Sequence, residues 1–84
     1  MAYILKTSQS FQKDFGKLDS VMQTRVLTAL EKMKTDPLID SKKLINVPIG
    51  VFRRRIGDYR LRFDISGHEI YLYRIRHRKE VYRK

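Results

Sequence analysis

Eighty-four residues are enough for one small domain, 1–84, and a chain this short buries only about 60–65 % of its unfolded surface. With no cysteine, disulfides and thiolate metal sites are excluded, and no charge-poor apolar run approaches the roughly 18 residues that span a bilayer. Nineteen Lys and Arg against nine Asp and Glu leave a net charge of +10, which points to a polyanionic partner rather than to a membrane, since no basic amphipathic helix carries the charge.

Residues 2–8, AYILKTS, are rich in strand formers and too short for a stable helix, so they predict a first strand. The N-terminal stretch also has no apolar run of signal-peptide length, so a soluble, cytoplasmic protein is expected. Ser8 or Ser10 can cap a short helix on which Phe11, Phe15 and Leu18 form one apolar stripe. A second, longer helix is predicted from Ser20, where Ser20 and Gln23 make an S-x-x-Q capping box. Met22, Val26, Ala29, Leu30 and Met33 then recur at helical spacing, and Pro37 ends the element. Only a couple of residues separate the two helices, so they are expected to form a hairpin.

Residues 37–50 contain two prolines and no clean period, and are read as a connecting loop with Leu44 and Ile45 anchored to the core. Three strand-like runs follow. VFRRRIG ends at Gly57-Asp58, a tight-turn signal. YRLRFDI alternates, with Tyr59, Leu61, Phe63 and Ile65 on one face and Arg60, Arg62 and Asp64 on the other. Ser66-Gly67 marks a second turn. In EIYLYRIR strict alternation puts Ile70 and Leu72 on one face and Tyr71, Tyr73 and Ile75 on the other. The predicted order is β-α-α-β-β-β, an α+β architecture with a helix hairpin packed on one face of an antiparallel meander.

The charge is uneven. Residues 51–84 hold eleven Lys or Arg and four acids, a segment charge of +7. The basic residues there are nearly all Arg, whose planar fork suits phosphate. Arg53 and Arg55 share a face of one strand, Arg60 and Arg62 of the next, and Arg74 and Arg76 of the last. They converge only if the faces of the three strands match. No Gly-rich phosphate loop, metal-ligand set or carboxylate pair is present, so neither a metal nor another cofactor is expected.

GDYRLRFDI, followed by a strand and then RIRHRKEVY, resembles the toxins of RelE/ParE-type toxin–antitoxin modules. So do FxKDFxKL in the first helix and DP after the second. The resemblance covers nearly the whole chain. It implies a small RelE-like sandwich, a helix hairpin on a twisted, mainly antiparallel sheet, with room for a short C-terminal helical turn. In the RelE branch it implies a ribosome-dependent endonuclease that cleaves mRNA in the A site without metal. The RNA's own 2′-hydroxyl attacks the adjacent phosphate, leaving a 2′,3′-cyclic phosphate and a 5′-hydroxyl. The branch pattern falls on Arg60, Arg53, Arg76 and Tyr82, and the terminal tyrosine distinguishes it from ParE-like chains. Arg60, Arg76 and Tyr82 are thereby the catalytic candidates. Arg53, Arg55, Arg62, Arg74, His77, Arg78 and Lys79 are the candidate RNA-binding residues.

Arg groups in place beforehand would stabilise the charge of a phosphorane-like transition state. Tyr82 would either accept the 2′-hydroxyl proton or stack on a splayed base. The implied partners are an acidic RelB-like antitoxin and the ribosome with its mRNA. The antitoxin would cover the basic cleft or displace the segment from 78 onward. Two other functions compete with this one: a ParE-like inhibitor of DNA gyrase with no nuclease role, and a plain basic RNA-binding module.

Overall fold

The computed structural model describes residues 2–81. In chain order it contains β1 (Ile4–Thr7), α1 (Gln9–Gly16), α2 (Ser20–Met33), β2 (Ser41–Lys43), β3 (Phe52–Ile56), β4 (Tyr59–Ser66), β5 (Glu69–His77) and α3 (Arg78–Val81). The five strands form one sheet in the order β1-β5-β4-β3-β2. All neighbouring pairs are antiparallel except β1 and β5, which run parallel in register from Ile4 opposite Glu69 to Thr7 opposite Leu72. The two long helices cover one face of this sheet, and the opposite face is here called the outer face.

Local chemistry explains the helix boundaries. Ser8 caps α1, its hydroxyl oxygen accepting from Phe11 N–H at 2.9 Å and donating to Tyr73 C=O at 2.7 Å, which also pins the start of the helix to β5. The cap of α2 is Asp19, which accepts from Met22 N–H at 2.8 Å. The expected Ser20–Gln23 box does not form. Asp19 caps one residue earlier, where its negative charge suits the helix N-terminus, and the Gln23 amide instead donates to Phe15 C=O at 3.0 Å, tying α2 to α1.

Phe11 and Leu18 from the α1 region and Val26, Ala29, Leu30 and Met33 from α2 meet Ile56, Leu61, Phe63, Ile70, Leu72 and Ile75 from the sheet in one core. Phe63 is fully buried and its ring stacks on Phe52 at 5.6 Å between centroids.

Four expectations change. Residues 37–50 are not all loop: β2 pairs with β3, Ser41 opposite Arg54 and Lys43 opposite Phe52. Ile45 is not a core anchor, being 84 % exposed, and Ile39 packs on the core instead. Ile75 does not share a face with Tyr71 and Tyr73. A register shift beside Arg62 and Phe63 pairs Phe63 with Leu72 but Arg62 with Arg74, so Tyr73 is an extra residue in β5. That bulge turns Ile75 into the core and carries Arg74 and Arg76 to the outer face. The second hairpin turn is Gly67-His68, one residue later than read, because Ser66 still pairs with Glu69.

Candidate nucleic-acid interface

The register answers whether the arginine faces match. Arg53, Arg62 and Arg74 are directly opposite one another across β3, β4 and β5, and so are Arg55, Arg60 and Arg76. Residues directly opposite on adjacent strands stand about 4.5–5.5 Å apart. Six arginines therefore form two parallel rows on the outer face. Like charges placed this way repel, which sets the face up for a polyanion.

A cleft of about 310 Å³ opens over the middle of these rows, lined by Arg60, Arg62, Arg74, Arg76 and Tyr73, with Val47, Pro48 and Ile49 as its wall. Among the described lining residues none is acidic. Arg60 lies deepest, only 7 % exposed, at the centre of its row between Arg55 and Arg76.

The wall is built by two side chains of β4. Asp64 accepts from Gly50 N–H at 2.7 Å and Val51 N–H at 2.9 Å. Arg62 donates through Nε to Gly50 C=O and through Nη2 to Ile49 C=O, at 2.5 and 3.0 Å. Gly50 is required at this crossing. Its φ is +63°, and a Cβ there would lie 2.7 Å from the Tyr73 ring.

Arg74 is likewise engaged. Its Nε and Nη2 donate to the two carboxylate oxygens of Asp14 on α1, at 2.8 and 3.0 Å, and Ile75 N–H donates to the same carboxylate at 3.2 Å. Asp14→Asn is expected to destabilise the chain by about 1–3 kcal/mol, because it loosens a forked ion pair and a backbone contact together. Urea denaturation of the two proteins measures this, and equal midpoints would contradict it.

The structure thus sorts the sequence candidates. Arg53, Arg55, Arg60 and Arg76 share the outer face with Arg62 and Arg74, but Arg62 and Arg74 spend donors on the loop and on α1. His77 is on the opposite face, edge-on to the Tyr59 ring at 5.2 Å, with Nδ1 accepting from Lys79 N–H at 3.1 Å. Arg78 and Lys79 are exposed at the start of α3, anchored by Arg78 N–H donating to Asp58 C=O at 2.8 Å. Tyr82 lies outside the described residues. Sequence reading passed over Tyr73 and the Val47–Ile49 wall. The three-residue step from Leu72 to Ile75 was the available sign of the bulge that puts Tyr73 in the cleft. Tyr71, also on the outer face, donates its hydroxyl to Glu69; that bond and the carboxylate's charge push its phenol up, so it stays protonated.

The model of the ParE toxin of type II toxin–antitoxin systems matches residues 5–82. Among solved structures, the toxin–antitoxin complex RelBE2 from Mycobacterium tuberculosis is similar at 25 % identity and a TM-score of 0.81, covering 92 % of this chain and 99 % of that one. The archaeal RelE–RelB complex from Pyrococcus horikoshii superposes with a TM-score of 0.79 at 22 % identity, covering 93 % and 97 % of the two chains. A mutant of the E. coli toxin RelE in the free state gives 0.73 at 22 % identity, covering 98 % and 92 %. These last two show the shared fold. No curated protein matches. The chain belongs to the ParE toxin family, and it is a toxin of a type II toxin–antitoxin system within the RelE/ParE superfamily.

Proposed function

We propose that this toxin is a ribosome-dependent mRNA endonuclease of the RelE type. The observation that carries the reading is the alignment of Arg55, Arg60 and Arg76 across three strands, with Arg60 sunk in a cleft whose described lining residues include no acid. In such a site the 2′-hydroxyl of the RNA attacks the neighbouring phosphorus, the P–O5′ bond breaks, and no metal takes part. The products are a 2′,3′-cyclic phosphate and a 5′-hydroxyl. Negative charge grows on the equatorial oxygens in the transition state. Guanidinium groups already held in place stabilise that charge more than the ground state and need little reorganisation.

Arg60 and Arg76 are the charge-stabilising pair, and Arg53 supports them from the other row. Arg62 holds the Val47–Ile49 wall. Tyr82 either accepts the 2′-hydroxyl proton or stacks on a base to align the attack. The ribosome supplies the substrate's position, so the work is done in the cytoplasm and free RNA is a poor substrate. An acidic antitoxin neutralises the toxin by engaging its basic surface, as the +10 charge favours.

After induction in cells, primer extension on translated mRNA should show cuts at fixed codon positions that disappear in Tyr82→Ala. Undiminished cutting by that variant would remove Tyr82 from the mechanism.

A second reading has its own support, because the matching family model is that of the ParE toxin. Under it the same basic face engages DNA gyrase without cleaving RNA. Induction would then raise the DNA-damage response and leave mRNA intact.

A further inference from the structure

A second cleft, also of about 310 Å³, lies on the helix side of the sheet between α2 and β3. Arg25, Lys32, Arg54 and Arg55 line it, with Thr24 and Thr28 on the helix wall, and among the described lining residues none is acidic. Arg54 follows from strand alternation: it is in phase with Phe52 and Ile56, so it points inward and is only 7 % exposed. Its Nη1 donates to Ala29 C=O at 3.3 Å, while its Nε is buried with no hydrogen-bond partner among the described residues.

A buried guanidinium whose Nε has no partner among the described residues is costly, and an anion relieves that cost. The threonines do not supply donors to such an anion, because Thr24 and Thr28 donate back to Ser20 and Thr24 C=O at 3.0 Å each. The cations do. Arg25 lies over the β3–β4 turn, where Gly57 at φ +60° leaves room for it; a Cβ there would be 2.9 Å from Arg25 Nη1.

The position favours a polynucleotide phosphate over a carboxylate. Four positive charges without an acid among the described lining residues exceed what one carboxylate neutralises, whereas a strand brings successive phosphates. They are also continuous with the outer face. β2 ends opposite Arg54, so the edge of β3 is open at Arg55 and Ile56. Arg55 stands opposite Arg60 in the outer row and also lines the second cleft.

We propose that this cleft is a phosphate subsite for the RNA strand that crosses the outer face, with Arg54 as its buried ligand and Arg25 and Lys32 as its rim. The identity of the strand rests on the RNA reading of the outer face; the subsite itself does not.

The test uses the full chain and its Arg25→Gln/Lys32→Gln variant, both changes being on the exposed side of α2. Titration with inorganic phosphate should shift the Arg54 Nε–Hε NMR signal saturably, with at least about tenfold weaker affinity in the variant. An RNA of ten nucleotides should also bind the variant about tenfold more weakly. Its log–log salt slope should fall by about 1.4 for two lost phosphate contacts, while a dinucleotide is unaffected. No Arg54 response to phosphate, or equal binding of the long RNA by both proteins, overturns the proposal. A response to acetate but not phosphate overturns it in favour of a carboxylate partner. If Arg54 responds to phosphate but wild type binds neither RNA, the outer-face RNA reading falls and the assignment of the strand with it, while the anion site stands.

Discussion

Arg60→Gln is expected to lower mRNA cleavage on the ribosome by about 10²–10³-fold, the usual effect of removing one preorganised donor to a developing oxyanion. Arg60 has the largest expected effect because it is the buried middle of its row, flanked by Arg55 and Arg76. Glutamine keeps a hydrogen-bond donor of lesser length and removes the charge, so it tests electrostatics more than packing. Arg62→Gln is the informative comparison. Arg62 spends its Nε and Nη2 donors on Gly50 and Ile49, so its loss should loosen the cleft wall and cost less cleavage than Arg60→Gln. Single-turnover cleavage on programmed ribosomes, with circular dichroism to confirm folding, separates the two. Equal losses would mean that the wall, rather than the Arg60 charge, limits the reaction.

Phe63→Ala is expected to cost about 3–5 kcal/mol. A domain of this size has a total stability of roughly 4–12 kcal/mol, so much of the chain would unfold near 37 °C. Phe63 is fully buried, stacks on Phe52, and sits at the β-bulge that decides which side chains of β5 reach the outer face. Phe63→Leu keeps an apolar side chain there and should lose far less. Thermal melts of the three proteins check this. An Ala variant melting within a few degrees of wild type would show that the core around the bulge can collapse without Phe63.

Much of this arrangement was legible beforehand, and the misses have physical causes. The strands β3 and β4 were readable because YRLRFDI alternates and Gly57-Asp58 marks its start. The pairing of Arg60 with Arg76 was not readable. It depends on a one-residue bulge, and a bulge inverts every facing beyond it. The strand β2 was invisible because SKK has no apolar alternation; backbone pairing with β3 makes it a strand. The roles of Asp14 and Asp64 were not readable, since a sequence does not reveal that an acid will meet backbone N–H groups far along the chain. Arg54 could have been singled out, because its place between Phe52 and Ile56 turns one arginine of the RRR run inward.

The proposed role of the aligned outer arginines is to promote RNA cleavage on the ribosome. The most direct measurement adds purified toxin to ribosomes programmed with a defined mRNA and identifies the ends of any fragments. Cuts are expected at the A-site codon with a 2′,3′-cyclic phosphate on one fragment and a 5′-hydroxyl on the other, lost in Arg60→Gln. Intact mRNA with wild-type toxin, together with inhibited supercoiling when the same toxin is added to DNA gyrase, would contradict it.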